Sequence, residues 1–157
     1  MRRKDRELAD PADLLSVLEK ADVCHLAMSD HNVPYLVTMN FGLARDKNLV
    51  LYFHCAHEGK KIDILKKNNL VCFGADVDHE LVQSTKGTSC GCSMRFRSVV
   101  GMGRVSFITE RAEKFEAFKA IMQHYTQETA PVFDEEMIDR TTILRLNVQQ
   151  ISGKRRP

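Results

Sequence analysis

The sequence has no tryptophan, only four prolines and eight glycines, and no large surplus of either charge. So few prolines and glycines exclude collagen-like and low-complexity chains. No apolar run reaches the roughly 20 residues that a membrane helix needs, so no membrane partner is expected. Lys and Arg number 23 against 21 Asp and Glu, a formal +2, which is too small a surplus to argue for nucleic acid. The basic residues are not gathered into one block. The two basic ends, Arg2 to Arg6 and Lys154 to Arg156, read as solvated tails. No apolar signal core follows the basic start, so a cytoplasmic location is expected. Five cysteines are an odd number, which does not suit a disulfide framework. Cys24, Cys55 and Cys72 lie in apolar segments, where a free thiol acts as a small hydrophobe. Cys90 and Cys92 sit instead in a polar stretch, Gly87-Thr88-Ser89-Cys90-Gly91-Cys92.

At 157 residues the chain suits one domain, residues 1–157. Asp10 as N-cap and Pro11 at the first helical position open a helix that runs to about Ala21, with Leu14, Leu15 and Leu18 on its apolar face. Val23 to Met28 suits a strand, and His31-Asn32 a hairpin turn. Pro34 marks the entry to the next strand, Tyr35 to Phe41. Arg45 to Asn48 reads as a second turn and Leu49 to His54 as a third strand. Gly59 to Asn68 reads as a short helix with Ile62 and Leu65 on its apolar side. Leu70 to Val77 and Arg97 to Phe107 are two further strands, and Gly101 and Gly103 in the latter suggest a bulge or a close backbone approach. Glu110 to Tyr125 is the longest helix, with Phe115, Ala117, Phe118, Ile121 and Met122 on its buried side. Thr142 to Ile151 alternates cleanly and closes the sheet. Six antiparallel strands with helices at intervals indicate a mainly β (α+β) fold, a small barrel with peripheral helices.

Two segments carry chemistry. In Tyr52-Phe53-His54-Cys55-Ala56-His57-Glu58-Gly59-Lys60-Lys61 a strand ends and a helix begins with two lysines beside a glycine. Helix-end amides and flexible ammonium groups together suit a phosphate, whereas two lysines at a helix start oppose its dipole unless an anion compensates. A solvated lysine pair is the plainer alternative. In Met94 to Val105, arginines alternate with apolar residues, and Ser98 offers a hydroxyl for a ring carbonyl or nitrogen. An edge strand charged against aggregation would look the same.

These segments, in this order, resemble the nitroimidazole-resistance branch of the pyridoxamine-phosphate-oxidase-like flavoproteins. The likeness is carried by Cys24 to Met28, Pro34 to Gly42, Leu51 to His54, Glu58 to Leu65, Arg97 to Gly103 and Ile151 to Arg156. The start, Arg2 to Glu7, joins them. The resemblance implies a six-stranded antiparallel split β-barrel homodimer with FMN at the subunit interface. Lys60 and Lys61 stand where that family grips the FMN phosphate, with His54 and Cys55 at the same strand end after Phe53. Tyr35, Val37, Thr38, Met39 and Asn40 stand where a strand passes the isoalloxazine ring and gives it mainly main-chain contacts. Ser98 stands where a polar side chain approaches the flavin. Thr38 replaces a proline common in relatives, and Cys55 a serine; both keep a small side chain.

The implied activity is FMN-dependent reduction of a small aromatic or nitro compound, the resemblance pointing to a 5-nitroimidazole. Flavin performs the electron chemistry, so no protein nucleophile is required. His54 is the candidate proton donor or orienting group, because imidazole titrates near neutrality. Two alternatives stand beside this reading. One is a metal- or haem-binding or redox-sensing protein using Cys90 and Cys92 with His79 or His57, although Cys-x-Cys lacks the usual zinc-site spacing. The other is a non-catalytic flavin-binding module.

Overall fold

The computed structural model describes residues 3–45, 48–126 and 131–157. The expected turn at Arg45 to Asn48 therefore falls partly outside the described residues, as does Arg2. Among the described residues eight strands and four α-helices follow one another as β1 (Glu7–Leu8), α1 (Pro11–Lys20), β2 (Cys24–Asp30), β3 (Val33–Met39), β4 (Gly42–Arg45), β5 (Leu49–Cys55), α2 (Lys60–Lys67), β6 (Leu70–Val82), β7 (Ser93–Ile108), α3 (Arg111–Tyr125), α4 (Glu135–Arg140) and β8 (Thr142–Arg156). The sheet order is β3-β2-β6-β7-β8-β5-β4, with β1 paired to β8. Every pairing is antiparallel. This is a split β-barrel whose sheet does not close, with eight strands instead of the expected six. Among the described residues no helix is long and apolar enough to cross a membrane.

Local chemistry sets the elements. The Asp10 side chain accepts the Ala12 N–H at 2.8 Å, and Pro11 occupies the first turn of α1. His31 and Asn32 link β2 to β3 with φ of 48° and 70°, the left-handed pair that a two-residue hairpin turn demands. On β2, β3, β6 and β7 alternate residues face inward. Cys24, Leu26, Met28, Val71, Phe73, Ala75, Val77, Val99 and Val105 fill the main core with Phe41, Phe53 and Leu144. A second cluster of Val50, Tyr52, Ile143, Ala117 and Ile121 lies under α3. β5 thus has apolar residues on both faces, one set in each cluster.

Gly101 and Gly103 do what their spacing suggested. A register shift falls between Met102 and Gly103, and a Cβ at Gly103 would lie 2.1 Å from the Asn147 carbonyl oxygen.

Two further expectations differ from the structure. Lys154 to Arg156 are not a solvated tail; they continue β8 and pair with Ser98, Arg97 and Phe96. Phe115 is exposed at 42% and meets Phe133 edge-on at 5.3 Å, because only Ala117 and Ile121 of α3 are fully buried.

Candidate functional site

The hand-over from β5 to α2 builds the site. β5 ends with His54 opposite Ile143 and Cys55 opposite Thr142. The chain then bends through residues 56–59 to Gly59, whose φ of 123° and ψ of 167° suit glycine alone. The Gly59 carbonyl accepts the N–H groups of Ile62 and Asp63 at 2.9 and 3.2 Å, and among the described residues no side chain caps the helix. The first-turn amides therefore face outward with the positive end of the helix dipole, and Lys60 and Lys61 add two cations there. Ile62, Ile64 and Leu65 are buried and anchor α2 to the core, which fixes the direction of its open end.

Three further side chains meet this end. The Lys60 Nζ lies over the Tyr35 ring, 4.8 Å from its centroid, so the first turn of α2 touches β3. The Nδ1 of His57 is 2.7 Å from the Thr142 hydroxyl, which ties the loop to β8. Lys61 lies close enough to His54 and Cys55 to act on both. His54 is reachable from solvent, yet desolvation first and the Lys61 charge second lower its pKa from the ordinary value. Both effects favour the neutral imidazole. Burial raises the Cys55 thiol pKa, with Lys61 opposing, so Cys55 stays protonated and is no thiolate nucleophile.

β3 is a sheet edge. Among the described residues it pairs with β2 alone, which leaves main-chain donors and acceptors along its other side without a neighbouring strand among them. Tyr35, Val37 and Met39 face inward opposite Met28, Leu26 and Cys24. Thr38 faces outward and its hydroxyl lies 3.1 Å from the Nδ1 of His25. The Asn40 side chain donates to the Asp22 carbonyl at 3.4 Å. Met39 and Phe53 are core residues, 7% and 0% exposed, so only their backbones can meet a ligand.

Ser98 is not brought to this cluster within one chain. It lies opposite Lys154 and Asp76, whereas His54 shares a row with Ile143 and Ile108. Ten residues of strand separate Ser98 from Ile108, roughly 30 Å along β7. Its row continues into an outward-facing surface. Leu36-Ala27-Cys72-Met102-Gln150 and Thr38-His25-Gly74-Val100-Ser152 run across the sheet beside it. Leu36 and Val100 are 60% and 53% exposed there, and Leu70 and Met102 44% each.

Sequence reasoning missed the side-chain contacts of Tyr35 and His57. The alternation in Val33 to Met39 does place Tyr35 on the inward face; nothing local reveals that α2 begins against it. Cys90 and Cys92 are free and exposed in the β6–β7 loop. Among the described residues no three His, Cys, Asp or Glu side chains gather in a way that could hold a metal, so these cysteines form no cluster with His79 or His57.

Comparison with known proteins bears on the family and the fold. Residues 10–155 match the family described as pyridoxamine 5'-phosphate oxidase. A candidate 5-nitroimidazole antibiotic resistance protein from Bacteroides thetaiotaomicron superposes with a TM-score of 0.82 at 34% identity, over 94% of this chain and 85% of that one. The flavocytochrome Anf3 from Azotobacter vinelandii shares the fold at a TM-score of 0.79 and 21% identity, over 100% and 72% of the two chains. An FAD-binding protein from Mycobacterium smegmatis does so at 0.63 and 24%, over 95% and 96%. Comparison with functionally curated proteins gave no significant match. Fold, profile and identity agree: the chain belongs to the pyridoxamine 5'-phosphate oxidase family of split β-barrels.

Proposed function

We propose that the protein is an FMN-dependent oxidoreductase that reduces the nitro group of a small aromatic compound, working in the cytoplasm as a homodimer with FMN at the subunit interface. One observation carries the reading. An uncapped helix end with two cations opens beside a sheet edge with free main-chain groups, which suits a phosphate ester joined to a flat heteroaromatic ring. Bound FMN would supply hydride and electron transfer.

The chain's own residues do the rest. Lys60, Lys61 and the first-turn amides of α2 hold the dianionic phosphate. The free edge of β3, from Tyr35 to Asn40, takes the ring through backbone groups. His54 holds or passes a proton at the same strand end.

A second copy answers two features that one chain leaves open. It covers the outward apolar face of Leu36, Leu70, Val100 and Met102, which a monomer would leave in water. It can also bring its Ser98 to a flavin whose phosphate is held at α2 of the first chain. The 34%-identical nitroimidazole-resistance relative supports the substrate class.

The test is direct. Purified protein should be yellow and should release FMN on denaturation. FMN-loaded protein should consume reductant only when a nitroimidazole is added. Flavin uptake without such turnover would leave a binding module and reject the enzyme.

A further inference from the structure

We infer that the ring of Tyr35 is a positioning residue for the cofactor phosphate: it holds the Lys60 ammonium at the open end of α2. The inference rests on the flavin reading above and adds a side-chain function to a residue otherwise expected to serve through its backbone.

The placement follows from the strand. Tyr35 lies at the outer end of the inward row Tyr35–Val37–Met39 of β3 and is only half-buried, so one ring face stays available. Pro34 precedes it on the edge strand. Lys60 is the first residue of α2, and Cβ atoms in a helix lean toward its N-terminus, which sends this side chain back past the helix mouth. There its Nζ meets the ring at 4.8 Å, within cation–π reach. Among the described residues Lys60 has no carboxylate partner, so the ring is what restrains the ammonium. An unrestrained lysine loses substantial rotamer freedom when it closes on a phosphate. A lysine already held at the site loses less.

The test is a double-mutant cycle read by equilibrium FMN titration of the apoprotein, with riboflavin as the probe that lacks the phosphate. Tyr35→Leu should weaken FMN about two- to fivefold, the range of an exposed cation–π contact, and leave riboflavin affinity unchanged. Tyr35→Phe should restore wild-type FMN affinity, because the ring carries the effect. In a Lys60→Ala background Tyr35→Leu should change nothing. A loss that persists in that background, or an equal loss for riboflavin, overturns the positioning role while the flavin reading stands. Failure of the wild-type protein to take up FMN overturns the flavin reading and this inference with it. The contact has its own readout: the Lys60 ε-methylene protons should show an upfield ring-current shift by NMR that Tyr35→Leu abolishes. Its absence in the wild type overturns the contact whatever the flavin does.

Discussion

Replacing both Lys60 and Lys61 with alanine separates binding from stability, because the two effects have opposite signs. A charge-assisted hydrogen bond to phosphate contributes roughly 1.5–3 kcal/mol. Lys60 is exposed and Lys61 half-buried, and solvent screening discounts exposed pairs. The pair together should therefore contribute about 2–4 kcal/mol, and FMN affinity should fall about 30- to 1000-fold. The apoprotein should not suffer. Two cations in the first turn of α2 oppose its dipole by roughly 0.3–1 kcal/mol each, and alanine is the better helix former. Its melting temperature should hold or rise slightly. The assay is flavin-fluorescence titration with FMN and riboflavin at low and high salt, beside a thermal melt. Wild-type affinity for FMN should fall more steeply with salt than that of the variant, and riboflavin should not distinguish them. Unchanged FMN affinity, or a matching loss for riboflavin, would refute the phosphate assignment.

Three other predictions probe separate parts of the account. Val100→Asp, on the outward face beside Gly74 and Ser152, should give a folded monomer by light scattering that no longer retains FMN; a dimeric, flavin-loaded variant would place the interface elsewhere. The His54 imidazole should titrate by NMR below its ordinary value of about 6.5, rise part of the way back in Lys61→Ala, and rise when FMN phosphate binds. Because the folded-state pKa is lowered, the neutral form favours folding above the unfolded value, and that contribution is lost as pH falls through the folded one. A His54 pKa unmoved by Lys61→Ala would remove the coupling. Gly42→Ala would put a Cβ 2.4 Å from the Ile121 nitrogen and 2.6 Å from the Ala120 carbonyl carbon, forcing α3 off β4. Overpacking of this kind costs roughly 2–3 kcal/mol, about 5–10 °C in melting temperature for a domain of this size; a melt within 2 °C of wild type, by the same scaling, would contradict the packing.

Short-range signals in the sequence were legible, and long-range ones were not. The cap at Asp10, the turn at His31 and Asn32, and the glycine bulge at Gly103 are each set by a few neighbouring atoms, so residue type alone announces them. β1 and β4 are too short for periodicity to register; Gly42 to Arg45 is a strand because it lies against Leu49 to Tyr52. The β6–β7 hairpin extends past Val77 to Val82 and Ser93 through a shift at Asp78. That residue's φ of 61° is supported by ion pairs to Lys20 and Arg97, partners 58 and 19 positions away. The buried face of α3 is illegible in the sequence for the same reason. Its contact is a narrow stripe over Gly42, where small residues matter more than the aromatic ones that dominate the pattern. At the site, the lysine-headed helix was readable from residue type. Ser98 was placed with it by resemblance, and only the strand register shows that one chain holds the two apart.

The central claim is that the junction of β5 and α2 captures a phosphate monoester carried by a flavin. Titration of the purified, flavin-stripped protein with FMN, followed by flavin fluorescence and by the ³¹P resonance of the phosphate, tests it most directly. Saturable uptake of one FMN per chain is expected, with a phosphate resonance shifted on binding and returned to its free position in the Lys60→Ala, Lys61→Ala variant. A wild-type protein that leaves both signals unchanged at every FMN concentration would contradict it.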